Sequence, residues 1–299
     1  MLNTSDSVRK AHVEGCRIIT DEELNKLQQI LLGMLDDIDE VMRENSIEYM
    51  LGGGSCLGAI RHDGFIPWDD DVDINITRKE FNRFLPLFRE KFGDKYWIHI
   101  PGVTEGYALL FPQIRLKGTS VKTRDDFKNE ECGVCIDFFF IENTYNDPVR
   151  RFFHGLGCQY YGFITSCRKF YRDRDELTDF ANRSGDKGFL SAVKKKAFFG
   201  KMISSRSIDS IVKKADRFNG KYNNDSSDFV TVPTGRKHFF GELRKRSVLL
   251  PTGEHIFEGR TLPVPNNPEE YLTKLYGSYK NIPGQNDREK HIYFEPFKL

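Results

Sequence analysis

The sequence predicts an α+β protein with a helical insertion. Three observations carry this. An amphipathic helix near the N-terminus is followed by strands that alternate apolar and polar residues, a strand-poor stretch fills the middle, and short apolar runs with Gly and Pro return from Asp228 onward.

The elements follow in order. Thr20 and Glu23 have the spacing of a capping box. Leu24, Leu27, Ile30, Leu31, Met34, Leu35, Ile38, Val41 and Met42 then recur three and four apart, which predicts a helix ending near Asn45. Ile47 to Leu51 reads as a strand, Gly52, Gly53, Gly54 and Ser55 as a turn, and Cys56 to Arg61 as a turn or two of helix. Val72, Ile74 and Ile76 alternate with Asp71, Asp73 and Asn75, the period of a half-buried strand. Thr77 and Glu80 repeat the capping spacing, and Arg78 to Phe92 reads as a second helix. Tyr96 to Ile100, Ala108 to Arg115 and Val134 to Ile141 read as further strands. From Pro148 to about Phe218 aromatic residues cluster, basic residues outnumber acidic ones and strand patterns are few, so the stretch reads as helical. Three sections result: 1–147, a core with its N-terminal helix; 148–227, a helical, basic-aromatic region; and 228–299, a segment that completes the core.

Composition narrows the function classes. The 299 residues are 38% hydrophobic and 30% charged, and 45 Lys+Arg against 44 Asp+Glu leave a net charge of +1. Such a balance sets up no global field for nucleic acid, and no nucleic-acid motif accompanies the local basic stretches, so nucleic acid is not expected as a partner. No apolar run approaches the roughly 18–20 residues that span a bilayer, and Met1 to Gln28 lacks a signal-type apolar core. A cytoplasmic protein is expected, with contact at the inner face of the membrane left open by the basic-aromatic region. Among the six cysteines only Cys132 and Cys135 form a CxxC, and no second ligand pair has zinc spacing.

The chemistry is concentrated between Gly52 and Asp73. Asp69, Asp70, Asp71 and Asp73 lie within five residues. On a strand, Asp71 and Asp73 project to one side, close enough to share a divalent cation that offsets their repulsion. Upstream, Gly53, Gly54 and Ser55 precede a helix start, where backbone N–H groups and the helix dipole favour a phosphate, and Ser55 adds a hydroxyl. Alone, a DxD reads as a solvated turn and a GGGS as a loop. Together, with the acids threaded through a half-buried strand, they point to metal-assisted phosphoryl chemistry.

The run from Leu51 through Gly52-Gly53-Gly54-Ser55, Arg61-His62-Asp63-Gly64 and Pro67-Trp68-Asp69-Asp70-Asp71-Val72-Asp73-Ile74 resembles the LicD family of phosphotransferases, to which fukutin and fukutin-related protein are more distantly similar. The resemblance continues at Ile114-Arg115 with Thr119, at Ile136-Asp137-Phe138-Phe139, at Phe257-Glu258-Gly259, and at Tyr271-Leu272 and Leu275-Tyr276-Gly277, so it covers most of the chain. One departure is the extra glycine followed by Cys56 at the turn, which bears on the fine geometry of the cradle.

The resemblance implies a nucleotidyltransferase-like core, a small mixed sheet flanked by helices. It implies transfer of phosphocholine, or a related substituted phosphate, from a CDP-linked donor to a hydroxyl of a cell-surface glycan or its glycolipid precursor, with release of CMP. Nucleotidyl transfer with release of pyrophosphate and a non-catalytic ligand-binding role are the alternatives. By matching positions, Asp71 and Asp73 would hold Mg²⁺ or Mn²⁺. Asp137 would be the third acid, as ligand or as base. Arg61, His62, Arg115 and Lys117 are candidate phosphate contacts, with surface roles as the alternative. Trp68 would stack on the donor or pack the core, and Asp69 and Asp70 would support the ligands. The basic-aromatic region would suit a lipid-linked acceptor, or simply turn its aromatic residues inward.

Overall fold

The computed structural model describes residues 16–284, 288 and 292–299. The expected absence of a signal-type segment therefore lies partly outside the described residues. In chain order the elements are α1 (Asp21–Glu44), β1 (Tyr49–Leu51), α2 (Gly53–His62), β2 (Asp73–Thr77), α3 (Arg78–Phe92), β3 (Tyr96–His99), β4 (Gln113–Leu116), β5 (Ser120–Lys122) and β6 (Cys135–Thr144). Four helices follow, α4 (Pro148–Arg172), α5 (Arg174–Arg183), α6 (Lys187–Met202) and α7 (Ile208–Asn219). The chain closes with β7 (Phe229–Thr231), α8 (His238–Glu242), β8 (Arg244–Lys245), α9 (Arg246–Leu249), β9 (Gly253–Phe257), β10 (Arg260–Val264), α10 (Pro268–Tyr276) and β11 (Phe294–Lys298).

The main sheet runs β1-β2-β6-β4-β3, with β7 on the far end of β6 and β8 beside β7. Strands β2 and β6 are parallel and the other pairs antiparallel, so the sheet is mixed and the fold is α+β. Its two faces follow from period-two alternation. Ile74, Ile114, Ile136 and Phe138 turn to one side and are fully buried. There α3 lays Phe81 and Phe84 on Phe138, at ring-centroid distances of 5.6 and 5.7 Å. The opposite face carries the polar residues.

Both helices expected from capping spacings form. Thr20 and Glu23 complete a reciprocal capping box on α1, which ends at Asn45, and the Thr77 hydroxyl accepts from the Glu80 N–H at the start of α3. The strand expected over Ala108 to Arg115 is confined to Gln113–Leu116. Residues before it leave the sheet, and the Tyr107 hydroxyl donates to the Phe111 carbonyl, folding this stretch on itself instead of along a neighbour. Strand β6 runs three residues beyond Ile141, because Glu142, Asn143 and Thr144 pair with β7. Helix α2 starts at Gly53, earlier than Cys56, since Gly52 serves as its N-cap and its carbonyl accepts from the Cys56 N–H.

One large core cluster joins residues from α1, the sheet, β9, β10, α10 and Tyr293. A smaller cluster of Leu177, Phe180, Ala181, Phe189, Val193 and Phe294 lies within α5, α6 and β11. All six cysteines are free.

Candidate active site

The site lies where β2 and β6 begin. Asp73 is in register with Asp137, Asp137 with Gln113, and Gln113 with His99, so four polar residues form a row across β2, β6, β4 and β3. Residues in register on neighbouring strands share a face, with strands about 4.8 Å apart. Asp73 and Asp137, 64 positions apart in sequence, are thus side by side. Asp71 precedes β2 and its charge reaches Cys135, the first residue of β6. Burial, and then the carboxylate of Asp137, push the Cys135 thiol well above its usual range.

Each carboxylate is held in place. The Gln113 side-chain amide donates to Asp137 Oδ1 at 2.7 Å, and the Gln113 carbonyl accepts from the Arg115 guanidinium at 2.6 and 3.1 Å. Arg115 is buried and paired at 2.8 Å with Asp126, also buried. Arg115 therefore hydrogen-bonds to the acidic row at one remove, through Gln113, while its charge also acts on Asp137. Asp70 is buried and accepts from the Tyr293 hydroxyl at 2.8 Å.

The glycines admit these acids. A Cβ on Gly53 would stand 2.5 Å from Asp73 Oδ2, and one on Gly54 2.9 Å from Asp69 Oδ2. A Cβ on Gly52 would stand 2.6 Å from Asn75 Oδ1. Gly53 also has φ of +42°, a left-handed backbone. The positive end of α2 thus faces Asp69 and Asp73 directly. Of the expected phosphate cradle, the Gly53 N–H donates to the Tyr271 hydroxyl at 2.9 Å. Ser55 is buried, and its hydroxyl accepts from the Asp73 N–H at 2.9 Å, pinning the start of β2 to α2.

The remaining expected contacts sit further out. Arg61 donates to the Tyr279 carbonyl at 2.7 Å and to His62 Nε2 at 3.0 Å, and its charge reaches Asp69. Burial and then Arg61 lower the His62 pKa, which keeps the ring neutral at pH 7. Lys117 donates to the Gly93 carbonyl. Trp68 packs against the core with the Arg288 guanidinium 4.1 Å over its ring.

Several supporting residues were given no role from sequence, although Tyr271, Tyr276 and Glu258 lie in stretches that carry the family resemblance. Tyr271, from α10, accepts from Asn75 Nδ2 at 3.0 Å as well as from Gly53. Tyr276 is close to Asp73 and Asp69, and Arg236 lies 5.5 Å over its ring. Glu258, at the hairpin tip between β9 and β10, accepts from the Phe65 N–H at 3.1 Å, while its own N–H donates to the Asp63 carbonyl. A Cβ on Gly64 would collide with the Glu258 carboxylate. The hairpin thereby fixes the loop that leads into the aspartates. Nothing local in the sequence links position 258 to position 64; only the motif spacing of a family preserves that pairing.

Among the described residues, no three His, Cys, Asp or Glu side chains close on one point as a ready metal cage. The donor set is nonetheless chemically apt. Hard carboxylate oxygens side by side on one polar face suit Mg²⁺ or Mn²⁺, and Mg²⁺ commonly takes one or two protein carboxylates and completes its shell from phosphate and water.

Residues 46–146 match the family model for the LicD/FKTN/FKRP nucleotidyltransferase domain. The chain is 26% identical over 284 residues to the lipopolysaccharide cholinephosphotransferase LicD of Haemophilus influenzae, covering 92% of this chain and 98% of that protein. Shorter stretches resemble two uncharacterized rickettsial proteins, at 36% identity over 83 residues in Rickettsia typhi and 30% over 90 residues in Rickettsia prowazekii. With the motif set on the acidic row of a mixed sheet, and a relative alike along nearly its whole length, the chain is similar to the LicD family and matches its nucleotidyltransferase domain over residues 46–146.

Proposed function

We propose that the protein transfers phosphocholine, or a related substituted phosphate, from a CDP-linked donor to a hydroxyl of a cell-surface glycan or its lipid-linked precursor, releasing CMP. The observation that carries this reading is the in-register pair Asp73 and Asp137, with Asp73 against the N-terminus of α2, in a chain similar along most of its length to a cholinephosphotransferase. In the reaction the acceptor oxygen bonds to the head-group phosphorus. The bond from that phosphorus to the bridging oxygen breaks, CMP leaves with the bridging oxygen, and the acceptor's proton passes to a carboxylate.

A divalent cation, when bound, neutralises charge on the transferring phosphoryl group. Asp71, Asp73 and Asp137 would hold it. Gln113 fixes the rotamer of Asp137, Ser55 fixes the backbone of Asp73, and Tyr271 fixes the glycine turn against both. Positioning of this kind accounts for most of the catalysis available to phosphoryl transfer, where the protein forms no covalent bond.

The test is product analysis with CDP-choline, lipopolysaccharide and Mg²⁺. CMP should appear in step with choline transferred, chelator should stop it, and Asp73→Asn should lower turnover about 10³-fold with the fold intact. Pyrophosphate released from CTP in its place would assign nucleotidyl transfer, and undiminished turnover in Asp73→Asn would sink the site assignment.

A further inference from the structure

Two helices carry an apolar face that is largely exposed among the described residues. Helices α4 and α6 pack on each other: Phe163 meets Phe199 at 6.2 Å, Lys196 donates to the Ser166 hydroxyl at 3.0 Å, and Gly200 abuts the Cys167 carbonyl closely enough to leave no room for a Cβ. On α4, Val149, Phe152, Phe153, Leu156 and Tyr160 are exposed, Phe153 by 64%. Their spacing of three, one, three and four residues puts them on one stripe of the helix. The C-terminal turn of α6 adds Phe198 at 64%, Phe199 at 47% and Met202 at 70%. Of the twelve large hydrophobic side chains exposed among the described residues, eight are on these two helices, so this is a patch and not scatter.

The charge carried by the two helices themselves has one sign. Helix α4 carries Arg150, Arg151, Arg168, Lys169 and Arg172, and α6 carries Lys187, Lys194, Lys195, Lys196 and Lys201. Neither helix contains an Asp or a Glu. At a hundred degrees per residue, Lys194, Lys195 and Lys201 fall on the same side of α6 as Phe198 and Met202, and all three are exposed. A second copy docking here would bring like charges together. Aromatic side chains ringed by Lys and Arg are instead the composition that inserts at the boundary of headgroups and acyl chains on anionic lipid.

We propose that the outward face of α4 and α6 docks the protein on an anionic membrane surface. Single helix length is not the device, since among the described residues no helix is long and apolar enough to cross a membrane. The proposal deepens the reading above, which gives the face its purpose by placing the acceptor on a lipid, but the binding itself needs no turnover.

The test is flotation of the full chain with vesicles of phosphatidylcholine containing a minority of phosphatidylglycerol, against phosphatidylcholine alone. The chain should float with the anionic vesicles and be released by salt. Phe153→Ser with Phe198→Ser should weaken partition about tenfold, and Lys194→Glu with Lys195→Glu should remove the preference for anionic lipid. Neither pair touches the acidic row, so CMP release with a lipid-free acceptor should be unchanged, which also reports that each variant is folded. Failure to float, or flotation that ignores both variants, overturns the proposal whatever the outcome for CMP. A dimer in sedimentation that the Phe variants dissolve, with no vesicle binding, would give the face to a second copy and overturn it equally.

Discussion

Gly53 combines two demands that no other residue meets. Its φ is +42°, and a Cβ there would stand 2.5 Å from Asp73 Oδ2. A left-handed backbone costs an L-residue roughly 1–2 kcal/mol, and the carboxylate must also move. Gly53→Ala should therefore lower the melting temperature by a few degrees and reduce CMP release at least tenfold, the second effect being larger than the first implies; calorimetry and product analysis on one preparation separate them. Tyr271 supports the same turn from the far end of the chain. Its hydroxyl accepts from the Gly53 N–H and Asn75 Nδ2, and Arg244 sits 4.6 Å over its ring. Tyr271→Phe keeps the ring and strands both donors. Leaving buried donors unpaired costs about 1–3 kcal/mol each, so urea unfolding should show a loss on the order of 2 kcal/mol after relaxation. At this scale the acids and glycines were legible from their spacing, because chemistry and close packing restrict residue type at each position. The roles of Tyr271, Gln113 and Glu258 were not, although Tyr271 and Glu258 lie in stretches of the family resemblance, because a side chain that supports a site from another element leaves no periodic trace. Arg115 shows the same limit: its charge suggested a phosphate contact, whereas its burial and its pairing with Asp126 decide where that charge is spent.

Helix α4 is attached to the sheet by polar as well as apolar contacts. His154 is buried, with Nδ1 3.0 Å from the Thr144 hydroxyl on β6 and Nε2 3.3 Å from the Phe218 carbonyl on α7. A neutral ring satisfies both, accepting at Nδ1 and donating at Nε2. Burial, and then Lys221, pull its pKa down to about 4 from 6.5, and burial does the same to His99. Both folded values lie below the unfolded one, so the unfolded chain takes up protons first. The stabilisation is complete above about pH 6.5 and drains as pH falls toward 4, by up to about 1.4 kcal/mol per pH unit for each histidine. Urea midpoints at pH 7, 6 and 5, a window above the ordinary carboxylate range, should decline, and His154→Gln should make the decline shallower. A midpoint independent of pH across that window would refute the account. The ends of α1 and α3 were readable to the residue because capping side chains mark them. The strand expected from Ala108 was over-read, since an apolar run shows burial but not the partner that buries it. The exposed stripe of α4 was the hardest to place, because the same periodicity describes a helix facing the core and one facing outward.

The whole molecule is organised so that its last quarter finishes what its first half begins. Main-core residues extend from Leu27 on α1 to Tyr293 beside β11, and they include Phe257, Leu262, Leu272 and Leu275. The polar links run the same way: Tyr271 to Gly53, Glu258 to Phe65, Tyr293 to Asp70 and the Tyr279 carbonyl to Arg61. Each link crosses the helical stretch from Pro148 to Asn219, which packs part of its own apolar surface around Phe180 and Phe189. We propose that residues 228–299 are an integral part of the catalytic domain and the helical stretch an insertion into it. A chain ending at Ser227 would expose the side of α2 that α10 covers, remove β7 from the end of β6 and leave Asp70 without Tyr293. Apolar area returned to water at about 25 cal/mol per Å² on that scale exceeds the few kcal/mol by which a domain is stable. The truncated chain should therefore keep much of its far-ultraviolet helix signal, lose its near-ultraviolet signal and unfold in urea without a cooperative step, while the full chain unfolds sharply. A truncated chain that melted cooperatively and still bound a CDP-linked donor would show instead that the first 227 residues fold alone, and that the C-terminal quarter is an addition to the site and not its foundation.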